Sequence, residues 1–258
     1  MKRLFTLIAL LGVMLGAAAQ TENVYVWKNG VYTAFPINEV DSITFTLPST
    51  PEDEPNDFPD AGEGVAVDLG LPSGTLWADR NVGADSPEGY GDYFAWGETE
   101  PKSTYNWDTY KWCNGSSNTM TKYCTESFYG YNYFTDSKTT LEPSDDAATA
   151  NWGEKWCMPT KSQLSELLSK CTWAWTTQNG VKGYKVTGPN GNYIFLPAAG
   201  YRHSSLLDDA GSYGCYWPSS LGEGGDANYS YCLYYGSDDL GLYVNLRYCG
   251  HTVRAVVR

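Results

Sequence analysis

The chain closes on "GLYVNLRYCGHTVRAVVR", residues 241–258. From Thr252 onward the residues alternate. Val253, Ala255 and Val257 fall on one face and Arg254, Val256 and Arg258 on the other, the period-two pattern of a strand. The preceding residues Tyr243, Asn245, Arg247, Tyr248, Cys249 and His251 follow no core pattern. A terminal strand with irregular rings, amides and an imidazole beside it points to a sheet that carries a surface region.

The segments upstream extend that sheet. In "YSYCLYY" (229–235 with Tyr229 to Tyr235), Tyr231, Leu233 and Tyr235 share one face while Ser230, Cys232 and Tyr234 share the other. Leu240 and Leu242 continue the core side. Left facing outward are Cys232, Tyr234, Tyr243, Asn245, Tyr248, Cys249 and His251, joined by Tyr201, His203 and Ser204 from the strand exit "AAGYRHSS". "TWAWTT", "GYKVTG" and "NYIFLPAAGYR" are further strands, split by Asn179-Gly180 and by Pro189-Asn190-Gly191. "VAVDLGLPSGTLWADRNVGA", beginning at Val65, reads as strand, tight Pro-Ser-Gly turn, strand.

Helices are few. In "TKSQLSELLSKC", Thr160 and Gln163 match a capping box, and Leu164, Leu167, Leu168 and Cys171 sit at i, i+3, i+4 and i+7 on one buried face. Cys171 therefore points inward. A second short helix follows Ser144, a candidate N-cap with Asp145 and Asp146 in the first turn, and runs to about Asn151. Glu88 to Thr140 is rich in aromatic, Gly and Ser residues, which predicts irregular loops pinned by Trp and Tyr rings. Few helices, many short strands and long loops give the α+β class with antiparallel sheets.

At the other end, Met1-Lys2-Arg3, an apolar run to Leu15 and "GAAAQ" at 16–20 form an export signal, cut after Ala19 or Gln20; an uncleaved anchor is the alternative. No later stretch reaches the roughly 18 apolar residues of a membrane helix. The organisation expected is a signal peptide at 1–20, a small β unit at 21–48, an acidic proline-rich linker at 49–62 and the main domain at 63–258. In the β unit, "NVYVWKNGVYTAFPI" holds a hairpin around Asn29-Gly30 and "VDSITFTL" adds a third strand. The linker contains "EPN" at 54–56, a tripeptide that some calcium-dependent lectins use, here outside any packed domain.

Composition narrows the partners. Thirty acidic and 17 basic residues give a net charge of −13, which opposes nucleic-acid binding. The 21 tyrosines, set among Gly, Ser and Asn, match the palette of protein-binding surfaces; a ring-filled core is the plainer account of any single one. Seven cysteines form no CxxC, and with His203 and His251 as the only histidines no zinc spacing occurs. Neither a nucleophile with its base nor a metal set is visible, so no catalytic residue, metal or cofactor is assigned. Asp208-Asp209 and Asp238-Asp239 precede small residues and suit turns better than calcium.

Several stretches share their order with one family. "VDLGLPSGTLWADRNVGA", "GDYFAWGET", "DDAATANWGEKWCMPT", "TTQNGVKGYKVTG", "IFLPAAGYR", "GCYWPSS" and "RYCGHTVRAVV" resemble the Fibrobacter succinogenes major paralogous domain, a family of exported bacterial proteins, over about 65–258. The first 48 residues resemble an N-terminal strand unit found ahead of many exported proteins of gut bacteria. The resemblance implies a C-type-lectin-like fold of the formylglycine-generating-enzyme type with two short helices and long loops, a fold class that also serves retroelement-diversified binding proteins. Trp217, Arg247 and Arg254 match the family's framework. Cys157 stands where an arginine is usual, and Cys215 and Pro218 depart from the pattern; pairing of Cys157 with Cys215 or with another cysteine stays open. The enzymes of this fold suggest a copper-binding cysteine pair, for which Cys232 and Cys249 lie in a suitable region, but the active-site motif is not recognisable.

The function expected is therefore an exported, non-catalytic ligand-binding or adhesion protein, secreted or at the cell surface. Its contacts would come from Tyr201, His203, Tyr234, Tyr243, Asn245, Tyr248 and His251, with an unknown protein or glycan as ligand, no nucleic acid and no membrane-spanning segment after signal cleavage. The alternatives are a structural cell-surface component and a copper-dependent thiol-oxidising enzyme. The residue mix of 201–251 is also what scrambling the first two bases of asparagine codons produces.

Overall fold

The computed structural model describes residues 23–28, 31–36, 63–224 and 226–257, and the chain divides into units 1–56 and 57–258. In the first unit, β1 (Asn23–Lys28) pairs antiparallel with β2 (Val31–Pro36), with Lys28 opposite Val31. This antiparallel pairing is the one the sequence predicts for the hairpin; Asn29-Gly30 itself lies outside the described residues. The signal segment, the third strand in "VDSITFTL", and the 49–62 linker with its "EPN" lie outside the described residues.

The second unit is of mixed α+β class, built mostly from small antiparallel sheets. β3 (Ala66–Asp68) and β4 (Leu76–Ala78) flank the Leu71–Gly74 turn. Their sheet is completed by β5 (Trp156–Cys157) and by the last strand, β14 (Val256–Val257), which enters between β4 and β5 with Val256 opposite both Trp77 and Cys157. A second sheet is the meander β6 (Thr172–Gln178), β7 (Val181–Thr187) and β8 (Tyr193–Pro197). β9 (Tyr201–His203) and β10 (Leu206–Asp208) form a ribbon, and β11 (Gly214–Tyr216), β12 (Tyr229–Tyr235) and β13 (Leu240–Leu246) form the third sheet.

The alternation in these strands separates two cores rather than core from water. From β12, Leu233 and Tyr235 join Trp77, Leu164, Leu167, Tyr184, Leu196 and Val256 in one cluster, against which Leu240 and Leu242 pack. Cys232 joins Trp96, Trp156, Trp217, Tyr105, Tyr123 and Val253 in the other. Every residue from His251 to Val256 is buried. The terminal strand is thus a central one covered on both sides, and the face holding Arg254 is as dry as the face holding Val253 and Ala255.

Both helices form where expected. α1 spans Ala147–Trp152 and α2 spans Lys161–Lys170. In α2 the capping box is complete: Gln163 N–H donates to Thr160 Oγ1 at 3.2 Å and Thr160 N–H to Gln163 Oε1 at 2.8 Å. Leu164 and Leu167 are buried, with Leu168 and Cys171 packed partly buried at their side. The cap of α1 is Asp146 and not Ser144, which lies in the 3-10 turn Pro143–Asp145. The buried Asp146 carboxylate accepts from Thr149 N–H at 2.9 Å and from Met158 N–H at 2.8 Å, so one side chain serves both the helix start and β5.

Between β4 and α1 the backbone has little regular pairing, and rings fix it instead. Tyr105 Oη donates to the Tyr93 carbonyl at 2.6 Å, Tyr110 Oη to that of Trp96 at 2.8 Å, and Trp96 Nε1 to that of Pro218 at 2.9 Å. Each aromatic body fills the core while its polar tip satisfies a loop carbonyl.

Two arginines extend this device. Arg254 is buried and donates through Nε to Asn81 Oδ1 (2.9 Å), through Nη1 to the Ala78 carbonyl (3.1 Å) and through Nη2 to the Phe195 carbonyl (2.8 Å). It thereby joins β14 to β4 and β8. Burial lowers its pKa from the ordinary arginine value, yet the guanidinium stays charged. Arg247, also buried, donates to Tyr110 Oη (2.9 Å) and to the carbonyls of Tyr123 (3.0 Å), Ala227 (2.8 Å) and Lys122 (3.1 Å), with its charge 4.8 Å from the Trp96 ring centroid. Replacing Arg254 by Met leaves three buried acceptors unpaired, and we expect a loss of about 3–5 kcal/mol in denaturant unfolding. Lysine restores little of it, because one ammonium cannot reproduce the fork.

Candidate functional site

The register of the third sheet places the candidate residues. Cys232 lies opposite Tyr243 and Ser230 opposite Asn245, so Ser230, Cys232, Tyr234, Tyr243 and Asn245 project to one side. Tyr234 stacks on Tyr213 with ring centroids 5.3 Å apart and planes at 21°, and Tyr243 meets Tyr234 edge-on at 5.7 Å. Tyr243 Oη donates to Asp239 Oδ1 at 2.8 Å. Gly236 lets this ladder form, because a Cβ there would sit 2.7 Å from the Tyr213 ring.

The row continues from Tyr243 along β13. Asn245 Nδ2 lies 3.3 Å from His251 Nε2, the His251 ring is 6.2 Å from that of Tyr201, and His203 Nε2 lies 3.1 Å from Tyr248 Oη. Tyr201 and His203 are close neighbours on β9. All seven residues singled out from the sequence therefore belong to one stretch of the fold.

Their exposure differs from the expectation. Tyr243 is 46% exposed and His203 is also exposed, while Tyr201, Tyr234 and Asn245 are half-buried. Tyr248, Cys249, His251 and Cys232 do not face outward; all four are buried. β9 lies over them, with the Arg202 and Gly250 amides and carbonyls exchanging bonds of 2.7 and 2.9 Å, and His251 pairs in the same way with Phe94 at 3.0 and 2.9 Å. The His251 ring stacks 3.8 Å from Trp217, and Tyr248 meets Trp107 edge-on at 4.8 Å. Alternation locates a face but does not tell water from a covering loop.

Electrostatics follow burial. Desolvation pushes the His251 pKa down to about 3, and its Nδ1 has no hydrogen-bond partner among the described residues. The ring is neutral at physiological pH. Desolvation likewise pushes the Cys232 and Cys249 thiols up to about 12 and raises that of Cys215 further. Cys215 is a free thiol, so the pairing of Cys157 with Cys215 left open by the sequence is not made. Among the described residues, no group of three His, Cys, Asp or Glu side chains is placed to hold a metal ion.

Beside the tyrosine ladder the surface opens into a cleft of about 440 Å³, bounded by Trp175, Lys182, Ser212, Tyr213, Asp238 and Asp239. Sequence reasoning assigned Trp175 to a strand and Asp238-Asp239 to a turn. Both assignments hold, since Gly236 N–H donates to the Asp239 carbonyl at 2.8 Å. The same turn also forms a wall, a role visible only once the β6–β7 hairpin, the segment leading into β11 and the β12–β13 turn are brought together. Of Asp208-Asp209, Asp208 closes β10 and only Asp209 starts a turn, its carbonyl accepting from the Ser212 and Tyr213 N–H groups at 3.0 Å.

The buried imidazole gives a pH prediction. Its folded pKa lies below the value of 6.5 for an unperturbed histidine, so between those values the unfolded chain binds the extra proton. The contribution of His251 is complete above pH 6.5 and is lost as pH falls toward 3, at about 1.4 kcal/mol per pH unit. Unfolding curves of His251→Phe, which keeps a ring against Trp217, should lack that increment of pH dependence relative to the wild type.

No protein-family model matches the chain, and neither curated proteins nor solved structures give a match.

Proposed function

We propose that this chain is an exported, non-catalytic ligand-binding or adhesion protein, acting as a secreted or cell-surface molecule and presenting an aromatic and polar surface near its C-terminus. The observation that carries this proposal is the ladder Tyr213–Tyr234–Tyr243, held by stacking and by Asp239 at the edge of an open cleft. Ordered rings that stay accessible lose little conformational entropy on binding and supply large contact areas. The ladder rests on a strand whose other face is packed into a core, so the surface is preorganised.

A C-type-lectin-like fold related to the Fibrobacter succinogenes major paralogous domain is part of the same proposal, supported by the sequence motifs and by the burial of the matched residues Trp217, Arg247 and Arg254. Diversification of the segment, on this view, concerns Tyr243, Asn245 and His203, where substitution leaves the core intact. No helix among the described residues is long and apolar enough to cross a membrane. Copper-dependent thiol oxidation is disfavoured by the state of Cys232 and Cys249. Both are buried with their thiols held protonated, whereas reactive cysteines are accessible and lowered in pKa.

The test uses the full chain on arrays of proteins and glycans. Tyr243→Ala and His203→Ala should abolish capture of a protein ligand held by the tyrosine surface, and Trp175→Phe capture of a glycan, while Tyr243→Ala and His203→Ala shift the melting temperature by no more than a surface substitution does, within about 0.5 kcal/mol. Tyr248→Ala, by contrast, should lower stability. Capture that survives all of these binding-surface substitutions, or the absence of any ligand, favours the structural-component alternative.

A further inference from the structure

The cleft beside the tyrosine ladder has a chemistry of its own. Its walls combine two aromatic side chains, Trp175 and Tyr213, with a cation, Lys182, and two carboxylates, Asp238 and Asp239. Its volume of about 440 Å³ lies within the range of roughly 300–1,000 Å³ usual for small-molecule sites.

The polar groups there are unspent. On the same strand, the indole N–H of Trp173 donates to the Leu167 carbonyl at 3.3 Å, whereas Trp175 Nε1 has no hydrogen-bond partner among the described residues. Trp175 is held in place by edge-on contacts with Tyr184 at 5.2 Å and Tyr235 at 6.5 Å. Lys182 and Asp238 are exposed and form no ion pair among the described residues, so they do not neutralise each other across the opening. Asp239 gives one carboxylate oxygen to Tyr243 Oη and keeps the other. Tyr213 is fixed by its stack on Tyr234 and by the bare backbone of Gly236 beneath it.

This combination selects a ligand class. A cationic ligand meets Lys182, and an anionic one meets two carboxylates. A purely apolar ligand would strip water from charged groups without replacing their hydrogen bonds. A neutral polyhydroxylated ring suits every wall: its hydroxyls accept from Lys182 and Trp175 Nε1 and donate to Asp238 and Asp239, and its C–H face lies on the aromatic rings. Metal bridging is not required, because the donors present already pair with hydroxyls.

We propose that this cleft is a metal-independent binding site for a neutral saccharide, seated on Trp175 and Tyr213 and hydrogen-bonded by Lys182 and Asp238. The proposal names the ligand class of the binding surface put forward above and rests on that function.

The experiment titrates the full chain, in EDTA, with methyl glycosides and disaccharides of neutral hexoses and N-acetylhexosamines, followed by tryptophan fluorescence and saturation-transfer NMR. At least one neutral sugar should give a saturable response. The response should weaken about tenfold or more in Asp238→Asn and in Trp175→Phe, a loss of about 1.4 kcal/mol. Lys182→Ala should weaken it as well. Lys182 and Asp238 are exposed, so those variants keep the wild-type melting temperature, and Trp175→Phe keeps a ring against Tyr184. Glucosamine and glucuronate should bind more weakly than their neutral counterparts. The proposal is overturned if no neutral sugar binds, if binding needs calcium, or if the variants bind like wild type. Should the chain capture a protein through Tyr243 and His203 while ignoring sugars, this inference falls and the general binding function stands. Should the arrays and the sugar titrations all be blank, both fall.

Discussion

Two guanidinium groups sealed inside the protein, with no carboxylate beside them in any described ion pair, set the terms for everything around them. A buried arginine presents five N–H donors in a fixed plane, and each donor left idle is costly. Arg247 and Arg254 meet this demand with carbonyls and side-chain oxygens from segments far apart in the chain: Ala78, Asn81 and Phe195 for one, Tyr110, Lys122, Tyr123 and Ala227 for the other. These acceptors include loop carbonyls that no strand could satisfy, so the arginines and the irregular backbone complete each other. Asn81 passes the constraint on, since its Nδ2 donates to the Tyr90 carbonyl and to Tyr216 Oη.

The surface next to these anchors is ordered without being sealed. β13 runs straight into Arg247, so Tyr243 and Asn245 stand four and two residues from a fixed point. The rings at this edge hold one another: Tyr213 on Tyr234, Tyr234 against Tyr243, and Tyr243 on Asp239. Each of the two ring pairs is worth about 0.5–1.5 kcal/mol beyond area burial, enough to define their positions and too little for the fold to depend on them. A surface of this kind can change its side chains while keeping its shape.

Regular elements were legible in the sequence where local chemistry is self-contained. Thr160 with Gln163 marked α2, Asn29-Gly30 the first hairpin, and the paired glycine and asparagine turns the meander of β6 to β8. The cap of α1 was misplaced by two residues because Ser144 and Asp146 are both good caps, and only the Met158 amide, supplied by β5, favours the second. Tyr248, Cys249 and His251 were expected outside for a similar reason. Their irregular pattern is that of a surface loop, and the cover provided by β9 and Phe94 comes from distant sequence. The seven candidate residues were nonetheless brought together, since they flank one sheet. Trp175, Lys182 and Tyr213 were missed as lining residues because the cleft is assembled from three segments, none of which signals it alone.

The central claim is that residues 201–257 divide into a rigid framework and a separable display surface. A saturation-substitution scan of that segment in the full chain, scored for folded protein, tests it most directly. The account predicts two populations. Trp217, Arg247, His251 and Arg254 should accept almost no replacement, while His203, Tyr243 and Asn245 accept nearly all except proline. Equal intolerance at both sets would contradict it, because the tyrosine surface would then be part of what holds the fold together.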